Sequence, residues 1–140
     1  MRTPEEILRG SRVIAVVGAS AHPEKAAYGV PAAMQAAGFK IVPVNPRVAA
    51  LGETILGEKV YASLRDVPHE IDIVDVFRPS EQAVSVAQQA AAVGAKALWL
   101  QQEITSIEAK VIAEQAGMAY VEDNCIAVAR ARYGVRHTAA

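Results

Sequence analysis

The sequence alternates between short β-branched runs and longer alanine-rich segments, with Gly or Pro at most of the changes, and this alternation limits the folds open to the chain. The runs have the length of strands and the alanine-rich segments that of helices. Strands are predicted over residues 12–17, 40–44, 71–77, 95–100 and 118–121. Helices are predicted over residues 31–37, 79–93 and 106–116, with a short strand and a helical turn in 59–67.

Such an alternation indicates repeated βα units, and right-handed crossovers between the units place helices on both faces of a parallel sheet. We therefore expect a Rossmann-like α/β fold, with one doubly wound parallel sheet of about five strands between two helical layers. Pro43 cannot donate to a strand ladder, so the strand 40–44 is expected at an edge or a bulge. At 140 residues, the chain fits a single domain over residues 1–140.

Composition argues against several classes of protein. The chain has 14 basic and 15 acidic residues, so no large positive surface for nucleic acid is expected. Cys125 is the single cysteine and the three histidines are scattered, so neither an internal disulfide nor a metal site is expected. No segment has the apolar length of a secretory signal or a membrane span, so we expect a cytoplasmic protein without a membrane partner.

A candidate phosphate-binding loop follows the first strand. Gly18, Ala19 and Ser20 lie where dinucleotide-binding domains receive phosphate on backbone N–H groups. The predicted helix start near residues 29–31 leaves a longer loop than G-x-G-x-x-G does, which favours a bulkier phosphate ester. Ser20 can donate from its hydroxyl and its backbone, and Lys25 can neutralise a phosphate oxygen. The alternative is an ordinary turn with a solvated lysine.

The end of the second strand distinguishes between nucleotides. An NAD-binding domain usually carries Asp or Glu there for the adenosine ribose, whereas this chain has Asn45, Pro46 and Arg47. A carboxylate would repel a ribose phosphate and Arg47 would attract one, so the residues favour NADP or coenzyme A over NAD. Alternatively, Asn45 and Pro46 only make a turn.

Two further loops follow strands. Arg78 and Pro79 stand at a helix start, where the helix dipole disfavours a cation unless an anion is nearby. Gln101, Gln102 and Glu103 follow the next strand, and their amide groups could bind the amides of a pantetheine arm. Polar residues that face solvent explain the second loop nearly as well.

Four blocks then occur in order, at residues 16–20, 42–47, 74–78 and 98–101, and read Val-Val-Gly-Ala-Ser, Val-Pro-Val-Asn-Pro-Arg, Val-Asp-Val-Phe-Arg and Leu-Trp-Leu-Gln. Together they resemble the small CoA-binding proteins related to the N-terminal domain of the succinyl-CoA synthetase alpha subunit, over residues 14–133. The resemblance implies that the first block takes the diphosphate, the second flanks the adenosine, and the third and fourth border the pantetheine. The candidate cofactor-binding residues are Gly18, Ala19, Ser20, Lys25, Tyr28, Val44, Asn45, Pro46, Arg47, Phe77, Arg78 and Gln101.

Two departures from the family pattern affect this site. Family members tend to have glycine after the fourth block, where this chain has Gln102 and Glu103, so the backbone approach of the pantetheine end is altered. The family often has a histidine after the cysteine near the end, and none follows Cys125 closely here. Cys125 is expected near a helix N-terminus, where it either packs as a small residue or forms a disulfide with the CoA thiol.

Two aspartates occur in or beside the third predicted strand. Asp72 and Asp75 are three apart, which puts them on opposite faces and excludes a cooperating carboxylate pair. Asp75 lies within an apolar run, and we expect it to anchor a neighbouring loop through a hydrogen bond.

The function predicted from these residues is binding of coenzyme A or an acyl-CoA by a non-catalytic carrier, sensor or regulatory module. Such a module leaves room for a protein partner, which the residues do not identify. No catalytic triad or metal site is visible in the sequence. One alternative is an NADP-dependent oxidoreductase or redox sensor, which shares the phosphate-binding logic. Another is a protein-interaction module with a degenerate nucleotide site.

Overall fold

A computed structural model describes residues 2–138. Its main sheet has five parallel strands, which are β1 (Val13–Val17), β2 (Lys40–Val44), β5 (Ile73–Val76), β6 (Ala97–Leu100) and β7 (Ala119–Val121). A small antiparallel pair is formed by β3 (Thr54–Ile55) and β4 (Glu58–Lys59). The strand order in the main sheet is β2-β1-β5-β6-β7. The predicted Rossmann-like α/β class is confirmed, and β2 is at an edge, as Pro43 predicted.

Helices cover both faces of the sheet. Within residues 2–138 they are α1 (Pro4–Arg9), α2 (Ala26–Ala36), α3 (Pro46–Ala50), α4 (Ala83–Ala92), α5 (Ile107–Gln115) and α6 (Ile126–Tyr133), with 3₁₀ turns at Leu64–Asp66 and Ser80–Gln82. Alternate strand residues point to opposite faces. Ile14 and Val16 of β1 therefore pack under α1, α2 and α6, and Ala15 and Val17 pack under α4 and α5. None of these helices is long and apolar enough to span a bilayer.

Helix α2 corrects the prediction that a helix begins with Pro31. It begins at Ala26, and Pro31 lies inside it. A proline has no N–H to donate to the carbonyl four residues earlier, which here belongs to Ala27. That carbonyl instead accepts the N–H of Ser20 at 3.2 Å. The proline therefore leaves an acceptor free to hold the loop that follows β1.

Other element boundaries also differ from the predictions. The helix predicted from residue 79 begins as the 3₁₀ turn at residues 80–82, because Pro79 has extended backbone angles. Helix α1 was not predicted, although Thr3 and Glu6 form a reciprocal capping box around Pro4. Helix α3 and strand β3 were not predicted either, and β5 and β6 each begin two residues later than expected.

Candidate functional site

The carboxyl ends of β1 and β5 lie where the strand order reverses. The chain leaves β1 for α2 on one face of the sheet and leaves β5 for α4 on the other. In open α/β sheets, ligands bind in the crevice that such a divergence opens beyond the strand ends. Gly18, Phe77 and Arg78 of the predicted set meet at this crevice.

Gly18 allows the two loops to approach closely. Its φ is +89°, and a Cβ placed there would lie 2.9 Å from the Phe77 carbonyl oxygen and 3.4 Å from Arg78 Cδ. Both the backbone conformation and the space require glycine. As a result, the β1 loop lies directly against the first residues after β5, and the Arg78 side chain passes beside it.

Two of the predicted phosphate donors are used by the protein itself. The Gly18 N–H donates to the Val44 carbonyl at 3.0 Å and the Ser20 N–H to that of Ala27 at 3.2 Å, so neither is free for a ligand. Within residues 2–138, no acceptor is found for the Ala19 N–H. The Ser20 hydroxyl accepts the N–H of His22 at 3.0 Å and retains its own proton as a donor. The loop therefore offers fewer backbone donors than the sequence suggested.

Asn45 holds the β1 and β2 loops together. Its Oδ1 accepts the N–H groups of Arg47 and Val48 at 3.0 and 3.2 Å, which caps α3, and its Nδ2 donates to the Ala19 carbonyl at 2.9 Å. The side-chain amide is thus occupied by positioning the loops. Pro46 opens α3 rather than only completing a turn.

Three cations surround these strand ends. Lys25 is the residue that precedes α2, Arg47 lies in the first turn of α3, and both are exposed, whereas Arg78 is half-buried. In the described part of the chain, none of the three has a carboxylate within ion-pair distance. Cations near helix N-termini are unfavourable unless an anion compensates them. The region is therefore electrostatically suited to phosphate.

A first cavity, the β2-side cavity, has a volume of about 410 Å³ and lies between the ends of β1 and β2 and the start of α4. Its lining residues are Val17, Val44, Pro46, Ala62, Ser63, Arg78, Gln82, Ser85, Val86 and Gln89. A groove of about 510 Å³ shares Ser63, Ser85 and Gln89 with it and continues along α4. The volumes fall in the range of small-molecule sites.

A second cavity, the β6-side cavity, has a volume of about 360 Å³ and lies against α2 and the loops after β5 and β6. Its lining residues are Ala26, Val30, Phe77, Arg78, Pro79, Gln101, Gln102, Ile104 and Cys125. Arg78 lines both cavities. The two cavities therefore flank one cation at the point where the strand order reverses.

Gln101 forms part of the wall of the β6-side cavity. It is 5% exposed, and its Oε1 accepts the Ile126 N–H at 3.1 Å at the start of α6. This bond fixes the orientation of the amide, so Nε2 is the group left for a ligand. No acceptor for Nε2 is found within residues 2–138.

Hydrogen bonds between loops make this wall rigid. Trp99 Nε1 donates to the Asn124 carbonyl at 2.7 Å, and the Glu103 N–H donates to Asp123 Oδ1 at 2.7 Å. Glu103 has a φ of +71°, the left-handed region that favours glycine. Glu103 therefore adopts a backbone conformation that costs a non-glycine residue free energy.

Asp75 lies one step below the β6-side cavity, since it shares a strand face with Phe77 two residues later. Its side chain is 1% exposed and its Oδ1 has no hydrogen-bond partner in the described residues, so the prediction that it anchors a neighbouring loop is wrong. Burial raises the pKa of the Asp75 carboxyl well above its usual range. Burial therefore favours the neutral form of this carboxyl beneath the site.

The remaining predicted residue, Tyr28, is half-buried on α2 and packs against the core rather than lining either cavity. Sequence reasoning missed the lining residues of α4 and the loop at 62–63. One signal was present, because Gln82, Ser85, Val86 and Gln89 recur at helical spacing after Pro79. Val30 and Ile104 carried no signal, since apolar residues at these positions are equally expected in a core.

A cavity of about 410 Å³ also lies at the opposite edge of the sheet, where Lys96 precedes β6 and Ala119 begins β7. These are the amino ends of the strands, whereas ligands of open α/β sheets bind at the carboxyl ends. Its Lys96 also lies near Asp72 and Glu70, at 3.5 and 3.9 Å. The crevice at the carboxyl ends is therefore the better candidate.

Comparison with known proteins agrees with this geometry. The model of the CoA binding domain family matches residues 12–131. The uncharacterized protein YneT of Bacillus subtilis (strain 168) is 41% identical over 127 residues, which cover 91% of each chain. A solved Thermus thermophilus protein is 33% identical with a TM-score of 0.88, over 94% of this chain and 99% of that one.

A larger solved protein contains a similar region. The dinucleotide forming acetyl-coenzyme A synthetase 1 of Ca. Korarchaeum cryptofilum is 26% identical with a TM-score of 0.70, over 86% of this chain and 28% of the synthetase. The resemblance stated from the four sequence blocks is thus confirmed by the family match. The chain belongs to the CoA-binding domain family.

Proposed function

We propose that this protein binds coenzyme A or an acyl-CoA across the two cavities. The observation that carries the proposal is that Arg78 lines both of them at the switch point of the sheet. Coenzyme A has an adenosine end, a central diphosphate and a long pantetheine arm. A ligand of this form fills two separate cavities while its phosphates lie at the cation between them.

In this arrangement the adenosine end occupies the β2-side cavity. Pro46 lines that cavity, and the next residue is Arg47, which has no carboxylate partner within residues 2–138 and suits the phosphate on the adenosine ribose. The carboxylate that an NAD site would place at the end of β2 is replaced by Asn45, whose amide holds the loops. Lys25 and the Ser20 hydroxyl lie in the loop that serves the diphosphate.

The pantetheine arm occupies the β6-side cavity. The arm carries two amides and a branched apolar carbon, and it ends in a thiol. Gln101 Nε2 supplies a donor for an amide carbonyl, and Val30, Phe77 and Ile104 supply apolar walls. Membership of the CoA-binding domain family supports the same ligand.

We further propose a carrier, sensor or regulatory role rather than turnover. Among the residues that line the two cavities, none forms the pair of nucleophile and adjacent base that acyl transfer needs. Cys125 is the one thiol there, and no histidine lines the cavity beside it.

The direct test is calorimetric titration of the full chain with CoA, acetyl-CoA, NADP and NAD at two salt concentrations. We expect selective binding of the CoA species with dissociation constants on the order of micromolar, weakened by salt because phosphate contacts are screened. Preference for NADP would contradict the proposal in favour of an oxidoreductase or redox sensor. No binding of any nucleotide would favour an interaction module.

A single charge reversal tests the adenosine end. Arg47→Glu should weaken the binding of CoA by about tenfold or more and that of dephospho-CoA far less, since dephospho-CoA lacks the ribose phosphate. Equal weakening of CoA binding and dephospho-CoA binding would show that Arg47 does not bind the ribose phosphate. Arg132→Glu, at an exposed position on α6, is the matched control and should leave both affinities unchanged.

A further inference from the structure

We propose that Cys125 is a covalent modification site, at which thiol–disulfide exchange with a CoA disulfide attaches one CoA molecule inside the β6-side cavity. The inference rests on the proposed function, because the pantetheine arm must enter that cavity. It adds a chemical step and a sensitivity to the redox state of the CoA pool, which noncovalent binding does not imply.

The first observation is the position of the thiol. Cys125 is half-buried, it precedes α6 as the N-cap residue without a side-chain capping bond, and it lines the β6-side cavity. The preceding residue is held in place, because the Asn124 carbonyl accepts Trp99 Nε1 at 2.7 Å and its N–H donates to the Leu100 carbonyl at 3.3 Å. The thiol is therefore placed at the cavity wall by a fixed backbone.

The second observation points to a ligand independently of the cysteine. Gln101 is 95% buried and lines the same cavity, yet its Nε2 has no acceptor in the described residues. This amide N–H group is open to the cavity, so it can donate to a carbonyl of a bound ligand. Its Oε1 is bonded to the N–H of Ile126, the residue after Cys125. The donor and the thiol therefore belong to one wall.

The structure of pantetheine connects the two observations. Its terminal sulfur follows an amide by only two methylene carbons. An arm whose terminal amide carbonyl accepts from Gln101 Nε2 thus carries its sulfur to the immediate neighbourhood of that wall. A CoA disulfide bound in this way presents a disulfide sulfur to Cys125.

The exchange is balanced without an external oxidant. The Cys125 thiol loses its proton to solvent, and the thiolate attacks one sulfur of the CoA disulfide. A bond forms between Sγ and that sulfur while the original sulfur–sulfur bond breaks. The departing CoA thiolate takes the electron pair and a proton from solvent. One disulfide replaces another, and the bound CoA is released when a reducing thiol reverses the reaction.

The test uses intact-mass spectrometry of the full chain after incubation with CoA disulfide or with glutathione disulfide. Because the sequence has one cysteine, the site of any adduct is unambiguous. We expect one CoA-thiyl group to replace one hydrogen, at a rate about tenfold or more above that of glutathione disulfide, since binding positions the reacting sulfur. S-methyl-CoA, a thioether without an exchangeable sulfur, should slow the reaction with CoA disulfide.

A relocated cysteine provides the matched control. In Cys125→Ser/Ala131→Cys the thiol lies on an exposed position of α6, outside the cavity, and should react with both disulfides at similar rates. Similar rates at Cys125 itself, or no adduct, would overturn the inference. Calorimetry of the unmodified protein with S-methyl-CoA separates the two proposals. If S-methyl-CoA binds and no site-directed adduct forms, only the modification fails, whereas absence of S-methyl-CoA binding contradicts the proposed function.

Discussion

Two regions at the strand ends differ in which polar groups are left free for a ligand. The first is formed by the loops after β1 and β2, and the second by the loops after β6 and β7. In the first pair, backbone groups and the Asn45 amide hold the loops, while Lys25 and Arg47 remain exposed without carboxylate partners in residues 2–138. In the second pair, side chains such as Trp99 and Asp123 bond to the backbone of neighbouring loops. Apolar groups, the amides of Gln101 and Gln102 and the Cys125 thiol are left to face the cavity.

This difference matches the two halves of the proposed ligand. Free cations suit the phosphorylated end, which is recognised by charge. A rigid and mostly uncharged wall suits a flexible arm, because fixed groups reduce the conformational entropy lost on binding. Arg78, in the loop after β5, lines the cavities of both regions.

Reversing the charge of Arg78, which lines both cavities, should weaken ligand binding in both regions. Arg78→Glu is expected to weaken CoA binding by about 100-fold, since it replaces an attractive charge near the diphosphate by a repulsive one. Calorimetric titration measures the effect. Arg136→Glu, an exposed reversal beyond α6, is the control that keeps net charge equal and should retain the affinity of the unchanged protein. Equal CoA affinities of the Arg78→Glu and Arg136→Glu variants would show that Arg78 does not contact the ligand.

Gly18 tests the close contact of the β1 and β5 loops. Gly18→Ala should lower the free energy of unfolding by about 2 kcal/mol, because a Cβ would be forced into positive φ and against the Phe77 carbonyl. Gly29→Ala is the opposite control. A Cβ there meets nothing within 4 Å on α2, so stability should rise by about 0.5–1 kcal/mol. Urea denaturation measures both, and an unchanged midpoint for Gly18→Ala would contradict the close approach.

Asp75, beneath the junction of the two regions, predicts a pH dependence of stability. Burial raises the pKa of the Asp75 carboxyl in the folded protein. The contribution of Asp75 to the free energy of unfolding is therefore complete below the pKa that this carboxyl has in the unfolded chain. It is lost as pH rises from that pKa toward the higher pKa of the folded protein. Over that interval the unchanged protein should lose about 1.4 kcal/mol per pH unit relative to Asp75→Asn. Denaturant titrations at several pH values test this slope.

Asp72 is the control, because its pKa is shifted in the opposite direction. Burial acts to raise the pKa of Asp72, but the N–H groups of Val13 and Arg12 and the nearby Lys96 outweigh it and lower that pKa. The contribution of Asp72 to the free energy of unfolding is therefore present above the pKa that this carboxyl has in the unfolded chain. It is lost as pH falls through the lower pKa of the folded protein. Asp72→Asn should remove that loss of stability in acid, and parallel pH dependences for the Asp75 and Asp72 variants would contradict a raised pKa of Asp75.

Glu103 tests the strain in the second region and has the smallest expected effect. Glu103→Gly should raise the free energy of unfolding by about 1 kcal/mol, because the left-handed backbone costs glycine little. Thermal denaturation measures the shift. Glu108→Gly, on the exposed face of α5, should instead destabilise by about 1 kcal/mol. A loss of stability in Glu103→Gly would show that the acidic side chain is needed.

The sheet could be predicted from the sequence because its strands are apolar runs bounded by Gly or Pro, and the confirmed edge position of β2 follows from Pro43 alone. The start of α2 could not be predicted. Pro31 signals a first helical turn in isolation, yet here the Ser20 N–H donates to the Ala27 carbonyl and compensates the missing donor. The path of the preceding loop overrode the local preference of the proline.

Some features of the candidate site could also be predicted from the sequence, and others could not. Arg78 and Gln101 could be singled out because they directly follow apolar strands, and the ends of parallel strands converge at one edge. The use of the Ser20 and Gly18 N–H groups by the protein was not predictable, since it depends on the path of the loop. The partnerless Asp75 oxygen was also unpredictable, because satisfaction of a buried group depends on neighbours from other elements.

Whether one ligand lies across both cavities can be measured by amide chemical-shift changes of the ¹⁵N-labelled full chain on addition of CoA, ADP and pantetheine. We expect ADP to shift amides around the β2-side cavity, including Ala62 and Ser63, and pantetheine to shift those of Gln102, Ile104 and Cys125. CoA should shift both groups together with Arg78. Shifts confined to one cavity with CoA, or centred on the opposite edge near Lys96 and Ala119, would contradict binding across both cavities.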